Sequence, residues 1–96
     1  MAVYVIADIQ VTDPIAYDQY RPLAATSIAR HGGRFIVRAG KVDLLEGEPE
    51  PERVVVIEFP DVETAHRWHR SEEYQAALKL RQAASHGRVF LVEGTA

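Results

Sequence analysis

The chain has 96 residues, 47% of them apolar, no cysteine and a formal net charge of −3. That length holds one domain, 1–96, and the apolar content is too high for disorder. The missing cysteines exclude disulfides and thiolate chemistry, and the acidic balance argues against nucleic-acid binding, which needs a concentrated basic face. No apolar run approaches a membrane span, and the first residues enter an amphipathic strand without the regions of a signal peptide, so a soluble, cytoplasmic protein is expected.

Val3 to Val11 alternates with a period of two: Val3, Val5, Ala7, Ile9 and Val11 on one face, Tyr4, Ile6, Asp8 and Gln10 on the other. This predicts a strand with one buried and one mixed face. Thr12-Asp13-Pro14 starts a helix, with Asp13 as N-cap and Pro14 at the first helical position. The helix should run to Arg30 or His31 and end at Gly32-Gly33. Pro22 inside it removes the hydrogen bond to the Asp18 carbonyl and should kink the axis. Arg34 to Leu45 reads as a longer second strand, interrupted by a bulge at Gly40. Glu46 to Glu52, acidic and with two prolines, reads as a solvated hairpin loop.

Val54 to Phe59 is apolar but for Glu58, as in a strand covered on both faces. Pro60 ends it and Asp61 caps a helix whose Val62, Ala65, Trp68 and His69 share a face. Ser71 reads as a second N-cap, followed by Glu72 and Glu73, so the chain should bend there. Beyond it Tyr74, Ala77, Leu78 and Ala84 share a face with Arg81 in its middle. Gly87 should end this helix, and Arg88 to Glu93 should form the last strand.

The order β-α-β-β-α-β predicts an α+β, ferredoxin-like protomer: an antiparallel four-stranded sheet with its helices on one face. The other face carries Tyr4, Ile6, Ile36, Val54 and Val56, more contiguous apolar surface than a monomer leaves wet. A homodimer pairing sheet to sheet is the economical solution.

Strand parity puts Asp8, Arg38 and Glu58 on that second face too, with Arg38 and Glu58 close across the hairpin. Charges near a dimer core need partners. Either a salt bridge fixes register there, which is the simpler reading, or the guanidinium holds an anionic or carbonyl ligand while a carboxylate of raised pKa moves protons. Arg81 either snorkels at the helix–sheet edge or bonds a carboxylate or carbonyl beneath the helix. Tyr17, Tyr20, Trp68 and Tyr74 read as core aromatics, though a tyrosine hydroxyl at a cavity mouth can bond a ligand. His66 and His69 are spaced for one metal but lack a third ligand, and His31 and His86 read as helix-end residues answering the macrodipole. No metal or cofactor is expected, and no phosphate loop or Ser-His-Asp pattern is present.

Six stretches together resemble one family: YVIADIQVTDP (4–14), HGGRFIVRAG (31–40), LLEG (44–47), VVVIEFPDVETAHRW (54–68), SEEYQAALKLR (71–81) and VEG (92–94). The chain resembles domain-of-unknown-function family 1330, within the dimeric α/β-barrel superfamily, over essentially its whole length. The resemblance implies the ferredoxin-like protomer paired into a dimeric α/β barrel, but no established activity. Arg38, Glu58, Trp68, Ser71, Tyr74 and Arg81 match the family pattern, whereas His69 stands where tyrosine is typical and Ala39 where glycine is common. Relatives in the superfamily include cofactor-free oxygenases, isomerases and haem-degrading enzymes, an analogy of fold alone.

The leading expectation is a homodimer binding a small, anionic organic molecule in a pocket between sheet and helices, without nucleic-acid or membrane partners. The candidate ligand-binding residues are Arg38, Glu58, Trp68, His69, Ser71, Tyr74 and Arg81. Arg38 and Arg81 would orient the ligand, with Glu58 and Tyr74 as polar partners. One alternative is an enzyme of cofactor-free oxygenase or isomerase type, with Glu58 or His69 carrying the proton. The other is a purely structural dimerisation module.

Overall fold

The computed structural model describes residues 1–95. The elements run β1 (Val3–Val11), α1 (Pro14–Arg30), β2 (Arg34–Arg38), β3 (Arg53–Phe59), α2 (Val62–Arg70), α3 (Glu72–Ala84) and β4 (Ser85–Glu93). The strands form an antiparallel sheet in the order β2-β3-β1-β4, the ferredoxin-like α+β arrangement. Each helix starts where a side chain caps it. Asp13 accepts from the Ala16 amide at 3.2 Å, Asp61 from the Thr64 amide at 2.7 Å and Ser71 from the Tyr74 amide at 3.1 Å. The Ser71 cap divides the second helical segment into α2 and α3, as its chemistry predicts.

The register sorts every strand residue onto one of two faces. The helix-covered face carries the rows Phe35–Ile57–Val5–Leu91 and Arg38–Val55–Ala7–Val89, followed by Arg53 opposite Ile9. The other face carries Arg34–Glu58–Tyr4–Val92 and Val37–Val56–Ile6–Phe90. Between sheet and helices lie the fully buried Trp68, Tyr74, Phe59, Ile9 and Val3. The extents of 32 × 32 × 17 Å leave thickness for one helical layer only, so the second sheet face stays uncovered. Its apolar side chains remain wet: Val37 is 38%, Phe90 41% and Val92 43% exposed.

Three expectations are corrected. First, β2 stops at Arg38 and does not reach Leu45, because Ala39 adopts a left-handed φ of 57° that turns the chain away. The bulge lies at Ile36, not Gly40: Phe35 pairs with Ile57 and Val37 with Val56, leaving Ile36 as the extra residue. Second, that extra residue reverses the parity of the strand end. Arg38 therefore faces the helices, and it is Arg34 that meets Glu58. Third, Gly87 does not end the last helix but sits inside β4 opposite Ile9, with φ of 149°. A side chain there would strike the Asp8 carbonyl of β1. Helix α3 ends instead at Ala84, whose carbonyl accepts the Thr12 and Asp13 amides at 2.8 and 3.1 Å. His86 accordingly lies in a strand, opposite Gln10, and has no helix end to answer.

Candidate functional site

A cavity of about 40 Å³ lies between the sheet and helices α1 and α3. Its floor is Val5, Ala7, Ile9, Val55 and Ile57, and its roof includes Tyr17, Tyr20, Ala24 and Ile28 from α1 with Tyr74 from α3. Ala7 creates the space, being the smallest side chain in a row otherwise filled by Arg38, Val55 and Val89. Around this apolar and aromatic interior stand four arginines, Arg21, Arg38, Arg53 and Arg81, and, among the described residues, no carboxylate.

The arginines reach the cavity from different elements. Arg38 is exposed but turned to the helix-covered side of the sheet by the bulge, and its guanidinium lies 4.3 Å from the centre of the Phe35 ring. Arg53 opens β3 on the helix-facing parity, its guanidinium 5.1 Å from the Tyr17 ring centre. Arg81 descends from α3, and Arg21 extends from α1 to pair with Asp18 at 3.3 Å in solvent. The Nε atoms of Arg53 and Arg81 are buried without a hydrogen-bond partner among the described residues. A buried charged donor left unpaired is costly.

Two phenols complete the lining. The Tyr20 and Tyr74 hydroxyls are 2.9 Å apart. Burial first, then neighbouring Tyr74, pushes the Tyr20 pKa well above the usual phenol range, against the opposing pull of Arg81. Tyr20 therefore stays protonated and serves as a neutral hydrogen-bonding group. Trp68, 2% exposed, is held in place by its indole N–H, which donates to Ser27 Oγ at 3.0 Å. Its ring centre lies 4.2 Å from that of Tyr74.

The remaining candidates fall elsewhere. Glu58 lies on the opposite sheet face, 2.6 Å from Arg34 Nε and 3.3 Å from the Tyr4 hydroxyl, and does not line the cavity. Arg34 precedes the bulge and lies opposite Glu58, whereas the inserted Ile36 turns Arg38 to the other face. Ser71 spends its hydroxyl on the junction of α2 and α3, accepting from the Tyr74 amide and donating to the Trp68 carbonyl at 2.7 Å. His69 is exposed and lines a neighbouring groove of about 210 Å³ beside α2, shared with His66, Phe90 and Leu91. Its ring centre is 5.5 Å from that of Tyr74, and its pKa is lowered by burial first, then by Arg81 and His66. Among the described residues no group of three or more His, Asp or Glu is arranged to hold a metal. Of the seven candidates, Arg38, Trp68, Tyr74 and Arg81 meet at the cavity.

Sequence reasoning overlooked Arg21, Arg53 and the role of Tyr20. Arg53 carried a readable signal, two residues before Val55 and four before Ile57 on the buried parity. Arg21 and Tyr20 carried none beyond their helical face.

The sequence pattern described as "Domain of unknown function (DUF1330)" matches residues 2–95. The chain belongs to the DUF1330 family. No curated relative matches it. Among solved structures, this DUF1330 chain is similar to a protein of unknown function from Rhodopseudomonas palustris, with 20% identity and a TM-score of 0.83 over 99% of this chain and 83% of that one. It is similar also to SnoaB, a cofactor-independent oxygenase from Streptomyces nogalater, with 17% identity and a TM-score of 0.72 over 99% and 94%. An antibiotic biosynthesis monooxygenase matches with 20% identity and a TM-score of 0.57 over 100% of both chains. At these identities the likeness shows a shared ferredoxin-like fold.

Proposed function

We propose that this DUF1330 protein binds a small organic anion between sheet and helices, and that it does so as a homodimer. The observation that carries the binding reading is a cavity ringed by Arg21, Arg38, Arg53 and Arg81 with no acidic residue in its lining. An ion-pair network built for stability would bring its own carboxylates; here the negative charge is left for a guest to supply. Tyr20 and Tyr74 offer neutral hydroxyls beside the guanidiniums, and the apolar floor shelters the carbon skeleton. The dimer is supported by the wet apolar row Val37–Val56–Ile6–Phe90.

An enzyme of the cofactor-independent oxygenase kind is the second reading, prompted by the SnoaB likeness. The cavity favours binding over acid–base catalysis. Its ionisable lining is arginine and tyrosine alone, while Glu58 and His69, the expected proton carriers, lie outside it.

Native mass spectrometry of protein purified from its own host tests the proposal. A retained organic acid on a two-subunit species is the expected result, with the acid lost from an Arg38→Met/Arg81→Met variant. A bare protein whose Trp68 fluorescence ignores a panel of carboxylates would defeat it.

A further inference from the structure

Resting on the anion-binding reading above, we infer that the guest is a short monocarboxylate, formate or acetate, held through an oxygen by the paired hydroxyls of Tyr20 and Tyr74. Two phenols carry two hydroxyl hydrogens, and their mutual bond at 2.9 Å uses only one of them, whichever ring donates. Neither hydroxyl bonds any other group among the described residues. The second hydrogen is left over on side chains that both line the cavity. Tyr74 is 2% exposed and burial keeps Tyr20 protonated, so the pair offers a neutral O–H largely withdrawn from water. A guest oxygen supplies the acceptor that this O–H lacks.

The charge of the guest follows from the guanidiniums around it. Arg53 and Arg81 are half-buried beside the cavity, and no carboxylate pairs with either among the described residues. The positive charge of Arg81 reaches the phenols, since it pulls the Tyr20 pKa down against the effect of burial. Arg38 is exposed and Arg21 shares Asp18, so water and that carboxylate already answer those two. The remaining field favours an anionic oxygen over the neutral oxygen of a ketone or an alcohol.

Size sets the upper limit. A volume of about 40 Å³ is room for about three waters, at about 10–15 Å³ for each. A carboxylate bearing a hydrogen or one methyl group matches that space, whereas a second acidic group or an aromatic ring exceeds it. Ala7 leaves the place for the methyl, because its neighbours across the sheet are the larger Val55 and Val89. The floor beneath is apolar, so the carbon end points there and the oxygens turn to the phenols.

The test titrates the full chain with formate, acetate, butyrate, benzoate and chloride, the ionic strength being held by gluconate, which is too large to enter. Heats of binding are read together with the fluorescence of Trp68, the only tryptophan and part of the cavity wall. Formate or acetate is expected to bind at least about tenfold more tightly than butyrate or benzoate, whose extra atoms overpack the space. Tyr20→Phe and Tyr74→Phe each leave one hydroxyl with a free hydrogen and should weaken acetate binding only about two- to threefold. Tyr20→Phe/Tyr74→Phe keeps both rings but no donor, and should weaken it about tenfold or more with an unchanged circular dichroism spectrum. Ala7→Val keeps phenols and arginines, fills the space and should weaken acetate by a similar factor.

Butyrate or benzoate binding more tightly than acetate would overturn the size limit and leave the anion-binding reading standing. Chloride binding as tightly as acetate would overturn the carboxylate assignment. Undiminished acetate binding in the double phenylalanine variant would overturn the role of the phenols, and in Ala7→Val the placement in this cavity. An absence of response to every anion, larger carboxylates included, would overturn inference and reading together.

Discussion

Ser27 shows how a small polar side chain can serve the interior. It is 0% exposed, donates to the Ala24 carbonyl at 2.9 Å, and accepts the Trp68 indole N–H. Ser27→Ala leaves that N–H buried with no acceptor and should cost about 1–3 kcal/mol in urea unfolding. An unchanged midpoint would mean that the indole finds another acceptor. His69 answers to pH in a defined direction. Its folded pKa lies below the ordinary 6.5, so the unfolded chain takes up the proton first as the solution is acidified. Stability is full above that ordinary value and falls as pH drops through the folded one. The melting temperature should therefore fall less between about pH 7.5 and 5.5 in His69→Gln than in the unmodified chain, the window set by the usual histidine pKa. Equal losses would remove His69 from the acid response.

At the scale of elements, β2 departs furthest from its sequence. The helix starts at Asp13-Pro14, Asp61 and Ser71 were legible because a cap is local chemistry, settled within three or four residues. The facing of β1 and β3 was legible because neither strand is bulged against the other, so the period of two runs through both. Arg34 to Arg38 has no such internal sign, since Phe35, Ile36 and Val37 are apolar in succession and the bulge among them is imposed by pairing with β3. That single extra residue moved Arg38 from the second sheet face, where Glu58 lies, to the lining of the cavity. Gly87 misled for a related reason: glycine after a helical pattern reads as a terminator, whereas here it lets β4 lie against the β1 backbone. Ala39 ends β2 in a conformation that glycine adopts more cheaply. Ala39→Gly should stabilise the fold by about 0.5–1 kcal/mol, after glycine's larger entropy loss is subtracted. A lower denaturation midpoint in that variant would contradict the strain assigned to Ala39.

For the whole molecule, the ferredoxin-like arrangement and the apolar character of the second sheet face were both legible, because each follows from pattern summed over many residues. Which side chains meet inside was not, because it depends on register. A charge in the wet central row tests the pairing of copies. Ile6→Lys/Phe90→Lys should convert a two-subunit species into a folded monomer in sedimentation equilibrium, since an unpaired charge in a closed apolar contact is costly. An unmodified chain that sediments as one subunit at micromolar concentration would end the dimer proposal.

The bulge at Ile36 makes the polarity of the interior a matter of counting. Were Ile36 itself paired in the ladder, with no residue left over, everything after it in the strand would turn over: Val37 would face the helices, and the Arg38 guanidinium would look outward.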